Sequence, residues 1–151
     1  MANTFVKLDI HLIFHVKPTS PSICQDDLSA LFSYTGGIIR ALGGVAYIVG
    51  GMPDHVHVLA SLPKTMTLSD FVKQIKTESS RWIKKLHARY HAFSWQDGYA
   101  AFSVSSSILE NTRIYIQNQA EHHQQRSFKE EVLALLKKHG ISYDDQYVFP
   151  T

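Results

Sequence analysis

Hydrophobic and polar positions alternate from residue 4 to residue 17. Val6, Leu8, Ile10, Leu12, Phe14 and Val16 share one parity; Lys7, Asp9, His11 and His15 share the other. Alternation of this kind marks a half-buried strand, so strand one is predicted over 4–17. Pro18 and Pro21 break the chain after it. Over 26–42 the period lengthens. Leu28, Leu31, Phe32, Ile38, Ile39 and Leu42 fall at helical spacing, with Asp26 or Asp27 as a cap and Gly43-Gly44 as a stop. Val45 to Val49 reads as strand two, Gly50-Gly51-Met52-Pro53-Asp54 as a turn, and 55–62 as strand three. So short a connection predicts an antiparallel hairpin.

Thr67-Leu68-Ser69-Asp70 has the pattern of a capping box and opens a helix to about residue 89, with Phe71, Ile75, Trp82, Ile83 and Leu86 as its buried stripe. Residues 99–105 read as strand four. Ser107-Ile108-Leu109-Glu110 is a second capping box, before a helix from 108 to about 124. A last helix, 128–139, carries Val132, Leu135 and Leu136 and stops at Gly140. The order strand, helix, strand, strand, helix, strand is the ferredoxin-like split βαβ pattern. The predicted fold is therefore α+β. An antiparallel sheet carries helices mainly on one face, a C-terminal helix pair follows, and the other face is free for a ligand or partner.

Composition narrows this only modestly. The 151 residues suit a single domain, 1–151, with one core. One cysteine, Cys24, excludes an internal disulfide and a cysteine-based zinc cluster. No run is apolar enough to span a membrane and no signal peptide is visible, so a cytoplasmic location is expected. The formal charge of +2 permits a nucleic-acid partner. Lys73, Lys76, Arg81 and Lys84 dominate the polar side of the second helix. Such a side is ordinarily a solvated surface; in a nucleic-acid protein it contacts phosphates.

Two features carry chemistry. His55 and His57 lie two apart on strand three, so both side chains leave the same face, about 7 Å apart along the strand. Imidazoles so placed can hold one divalent metal ion. The helix from 108 is too polar to form for the sake of its own core, above all over Gln117-Asn118-Gln119-Ala120-Glu121-His122-His123-Gln124-Gln125. Tyr115 and Gln119 are i and i+4 on it, and His122 follows roughly one turn later.

His55-Val56-His57 resembles the His-hydrophobic-His motif of the HUH nucleases, and Tyr115 followed by Gln119 resembles the nucleophile helix of their single-tyrosine branch. Gly36-Gly37-Ile38-Ile39-Arg40, Gly50-Gly51-Met52-Pro53-Asp54, Ser79-Ser80-Arg81-Trp82-Ile83, Trp95-Gln96-Asp97-Gly98-Tyr99 and Ala101-Phe102-Ser103-Val104-Ser105 look like the transposases of the IS-two-hundred/six-hundred-five insertion-sequence family, in family order over nearly the whole chain. The resemblance implies a prokaryotic, DNA-associated transposase of single-stranded DNA. It implies cleavage and rejoining through a 5′-phosphotyrosine intermediate at element ends marked by hairpins. It also implies a homodimer, in many members with the tyrosine helix of one subunit completing the site of the other.

On that resemblance Tyr115 is the nucleophile, and His55, His57 and Gln119 are ligands of a divalent ion, Mg²⁺ or Mn²⁺. His122 is a supporting residue. His11, on the polar parity of strand one, is a second support or a DNA contact; Lys73, Lys76, Arg81 and Lys84 are DNA contacts. The alternative is a ferredoxin-like nucleic-acid-binding module without catalysis. A metal-dependent hydrolase fits less well, because Leu59 and Ser61 stand where an acidic ligand commonly follows a His-x-His pair.

Overall fold

A computed structural model describes residues 3–119, 126–144 and 148. Four strands form one antiparallel sheet in the order β2-β3-β1-β4: β1 Asp9–His15, β2 Val45–Met52, β3 His55–Ser61 and β4 Ala100–Ser103. Among the described residues it is accompanied by the helices α1 Leu28–Ala41, α2 Leu68–Leu86, α3 Leu109–Gln117 and α4 Phe128–Lys138. The α+β architecture and the split βαβ order are those predicted.

The parity of β1 divides the molecule. Ile10, Leu12, Phe14 and Val16 join Val56, Val58 and Ala60 of β3 in the main core, against Leu31 and Ile39 of α1 and Phe71, Ile75 and Ile83 of α2. Asp9, His11 and Ile13 leave the opposite face, as do His55, His57 and Leu59 of β3. The expectation of a free second face fails here. Leu59 packs with Ile116 of α3, and Ile13 packs with Phe102 of β4 and Val132 and Leu136 of α4. The C-terminal helices bury apolar groups that the strands already present on that side, so the sheet is covered on both faces.

Several boundaries move from their predicted places. Strand pairing begins at Asp9 opposite Ser61, where β3 ends. Beyond the ladder the Leu8 carbonyl still accepts from the Leu62 N–H at 2.8 Å, while Phe5 is left 93% exposed. Strands β2 and β3 pair through Met52 and His55, so the glycines first assigned to a turn are in the ladder. Gly51 is required there, and Gly50 makes room for α3. A Cβ on Gly50 would stand 3.0 Å from the Ile116 side chain, and one on Gly51, at φ +148°, 2.3 Å from the His55 carbonyl oxygen. Their bareness lets α3 settle against β2. The Thr67 cap holds, its hydroxyl accepting from the Asp70 N–H at 3.1 Å. The one proposed at Ser107 does not: the chain makes a 3₁₀ turn over Ser106–Ile108, and Glu110 pairs with Arg113 instead. Among the described residues no helix is long and apolar enough to cross a membrane.

Candidate active site

The central strands supply the imidazoles. His15 stands opposite His55 and Ile13 opposite His57 in the β1–β3 ladder, so His11 reaches His57 on the diagonal. His55 and His57 are fully buried, with ring centroids 5.2 Å apart. Each has its Nδ1 anchored. His55 Nδ1 lies 2.7 Å from Asp54 Oδ1, and His57 Nδ1 lies 2.8 Å from His11 Nε2. With the proton on each Nδ1, the Nε2 atoms of both rings are the ones that would bind a cation, the usual arrangement behind a metal-binding histidine. Hydrogen bonds from His15 and His55 hold the Asp54 carboxyl far below the ordinary carboxylate range, so it is an anion. Burial, with the neighbouring His57 adding to it, pushes the His11 pKa well down, so His11 is neutral and able to accept.

The C-terminal helices bring the rest. Glu131 of α4 is 1% exposed, and its carboxylate is a junction. Its Oε1 is 3.0 Å from His57 Nε2. Its Oε2 accepts the Tyr115 hydroxyl proton and lies 3.3 Å from the Gln119 amide nitrogen. Gln119 turns its oxygen to His55 Nε2 at 3.3 Å. Phe128, one turn before Glu131, lays its ring 4.1 Å from that of His55 and 5.0 Å from that of His15. Burial, then the hydrogen bond to Glu131 and its charge, raise the Tyr115 pKa above its ordinary value near 10, so the hydroxyl is protonated at neutral pH.

One donor atom each from His55, His57 and Glu131 lies within 4.8 Å of the others. Ligands with bonds of about 2.0–2.2 Å sit at most about 4 Å apart, so a small side-chain shift closes the set onto one ion. Two imidazoles and a carboxylate suit a divalent cation, and the buried carboxylate gives that ion a compensating charge.

The structure thus brings together His55, His57, Tyr115, Gln119 and His11 within one chain. It does not bring the predicted basic residues there. Lys73, Arg81 and Lys84 are on α2, across the sheet, with Arg81 paired to Glu78 at 3.0 Å. Lys76, also on α2, is half-buried and donates to the Gln96 and Gly98 carbonyls, both at 2.7 Å. His122 lies outside the described residues. Glu131 was not singled out from sequence. Glu130 and Glu131 read together as the acidic first turn of a helix, and Ser127 does cap that turn. The available signal was position: Phe128, Val132, Leu135 and Leu136 form the buried stripe of α4, and Glu131 falls within it.

Known proteins share both sequence and fold with this chain. The ISDra2 transposase TnpA of Deinococcus radiodurans is 29% identical over 120 residues, which is 76% of this chain and 83% of that protein. A crystal structure at 1.90 Å of a D. radiodurans R1 chain taken to be a transposase superposes with a TM-score of 0.61 at 24% identity, covering 79% of this chain and 95% of that one. A REP-associated tyrosine transposase bound to a REP hairpin superposes with a TM-score of 0.56 at 11% identity, over 85% and 74% of the two chains. The family described as "Transposase IS200 like" matches residues 4–119, from the start of the β1 segment through Tyr115 and Gln119, and the chain belongs to that family.

Proposed function

We propose that this protein is a transposase that cuts and rejoins single-stranded DNA at hairpin-marked ends, with Tyr115 as nucleophile. The observation that carries the reading is the convergence of the Tyr115 hydroxyl, the His55–His57 pair and Gln119 on the Glu131 carboxylate. Family membership supports it, and so does the hairpin held by the structural neighbour.

His55, His57 and Glu131 would hold the divalent ion, Mg²⁺ or Mn²⁺, with the Gln119 oxygen beside them. Such an ion supplies Lewis-acid stabilisation of charge on the phosphate oxygens. Asp54 and His11 hold the two rings in the tautomer that leaves Nε2 unprotonated. Tyr115 attacks the phosphorus in line: a tyrosyl O–P bond forms and the P–O3′ bond breaks. The phenolic proton passes to Glu131 Oε2, which already accepts it, and the 3′ oxygen takes a proton from solvent. The product is a 5′-phosphotyrosine link and a free 3′ hydroxyl, and the reverse step rejoins a strand.

The chain acts as one nuclease domain, DNA-associated in the cytoplasm. In the homodimer we propose, each subunit carries its own tyrosine beside its own imidazoles. The test is a covalent protein–DNA band on denaturing gels, using single-stranded oligonucleotides copied from the DNA flanking the coding region, with Mn²⁺ present. Wild-type protein forms the band; Tyr115→Phe binds the same strand and forms none. A band from the phenylalanine variant, or none from wild type, ends the reading and favours a binding module without catalysis.

A further inference from the structure

A cavity of about 380 Å³ opens between α3 and α4, over β4. It lies in the range of sites that bury small ligands, about 300–1,000 Å³. Tyr115 and Glu131 line its inner end, so it is continuous with the candidate active site. Arg126 and Lys138 line it too, and among the described residues neither forms an ion pair. Both cations are close enough to act electrostatically on the site, Arg126 on Tyr115 and Lys138 on His11. Phe102, with the His139 ring stacked on it at 4.5 Å, gives the cavity an aromatic wall, and Asn111 adds an amide. Unpaired cations, an aromatic wall and an amide are the groups that hold a phosphate, stack a base and meet its edge.

Stereochemistry says which nucleotide. In-line attack places the leaving 3′ oxygen on the far side of phosphorus from the tyrosyl oxygen. The 5′ oxygen is equatorial, so the nucleotide attached through it leaves to the side of Tyr115. Tyr115 lines the cavity. We propose that it is a nucleotide subsite for the residue on the 3′ side of the cut, the one that stays joined to the enzyme, with Arg126 and Lys138 on the phosphate that follows. The subsite rests on the reading of Tyr115 as nucleophile. The covalent link fixes one phosphate, and the cavity would orient its nucleoside for rejoining.

The test compares two probes, tetrathymidylate with a 5′ phosphate and tetrathymidylate with a 3′ phosphate, titrated calorimetrically into the full chain with Mn²⁺ present. The 5′-phosphorylated probe mimics the retained side and binds at least tenfold tighter. Arg126→Ala/Lys138→Ala weakens that binding roughly tenfold and lowers its salt dependence by about 1.4 in log–log slope, since each single-strand phosphate contact contributes about 0.7. Ala134→Trp, which fills the cavity from α4 without changing charge, removes the preference between probes while Mn²⁺ still binds. Equal affinity for the two probes in wild type overturns the subsite. So does wild-type binding in both variants. If wild type forms the covalent band and the probes fail, only the subsite falls; if wild type forms no band, the nucleophile reading falls first.

Discussion

The His11→Phe substitution isolates a single hydrogen bond at the metal end of the site. His11 is buried and its Nε2 lies 2.8 Å from His57 Nδ1, with the rings stacked at 5.0 Å. Phenylalanine keeps a ring of similar shape against Phe102 and Tyr115 and removes only the acceptor. The Nδ1–H of His57 is then a buried donor without a partner, which costs about 1–3 kcal/mol. The ring escapes part of that cost by moving its proton to Nε2, where Glu131 Oε1 waits at 3.0 Å. That tautomer has no lone pair for a cation. Loss of such an outer partner weakens metal binding about 10–100-fold, or roughly 1.4–2.8 kcal/mol at about 1.4 kcal/mol per decade. The two ranges overlap, as they should if one bond underlies both. The assay is Mn²⁺ titration calorimetry of wild type, His11→Phe and His11→Gln, with thermal unfolding as the control for folding. The glutamine oxygen accepts from Nδ1–H, so His11→Gln recovers most of the affinity. Wild-type Mn²⁺ affinity in His11→Phe refutes the positioning role.

Four further outcomes follow from the same geometry. Glu131→Gln removes the only acidic ligand of the buried set and weakens Mn²⁺ binding more than tenfold by calorimetry; it also lowers the Tyr115 pKa, because the carboxylate now raises it. His57→Ala abolishes metal-dependent formation of the covalent band, and an unchanged band would remove the metal role. Gly51→Ala forces a Cβ to within 2.3 Å of the His55 carbonyl at φ +148° and destabilises the fold by about 1–3 kcal/mol or more in urea unfolding; wild-type stability would mean that the β2–β3 turn is not as described. Tyr115 also gives a pH dependence. Its folded-state pKa is raised, so in the window above about 10 the unfolded chain loses its proton first, and stability present below that pH is lost as pH rises. Urea unfolding between pH 9 and 12 therefore shows a steeper decline for wild type than for Tyr115→Phe, and parallel curves would refute the shift.

Local rules were legible wherever a segment's neighbours follow from its own pattern. The parity of β1 separates the core residues Leu12 and Phe14 from His11, and the structure keeps that division. The spacing of His55 and His57 placed both rings on one face, as found. Illegible features depend on what a distant segment does. Val6 and Leu8 alternate like strand residues, yet only the end of β3 at Ser61 decides that pairing stops at Asp9. Gly50 and Gly51 look like turn residues until Ile116 is known to press on β2. Glu131 looks like any acid in a first turn, because helix termini favour acids for a reason of their own. Its function shows only when α4 is laid over the sheet and the carboxylate has nowhere to go but between an imidazole and a phenol.

The Glu131 junction has a consequence for the order of events at the ribosome. His57 and Glu131 are 74 positions apart. At about 5–20 residues per second, the carboxylate is made about 4–15 s after the imidazole it will face. Until then β1 and β3 can pair and the helices α1 and α2 can seal the other side of the sheet, while the two histidines remain open to water. The part of the chain that folds first thus carries no assembled chemistry, and a nascent chain or one truncated before residue 127 has a sheet but no closed site. The reactive set comes into being only with α4.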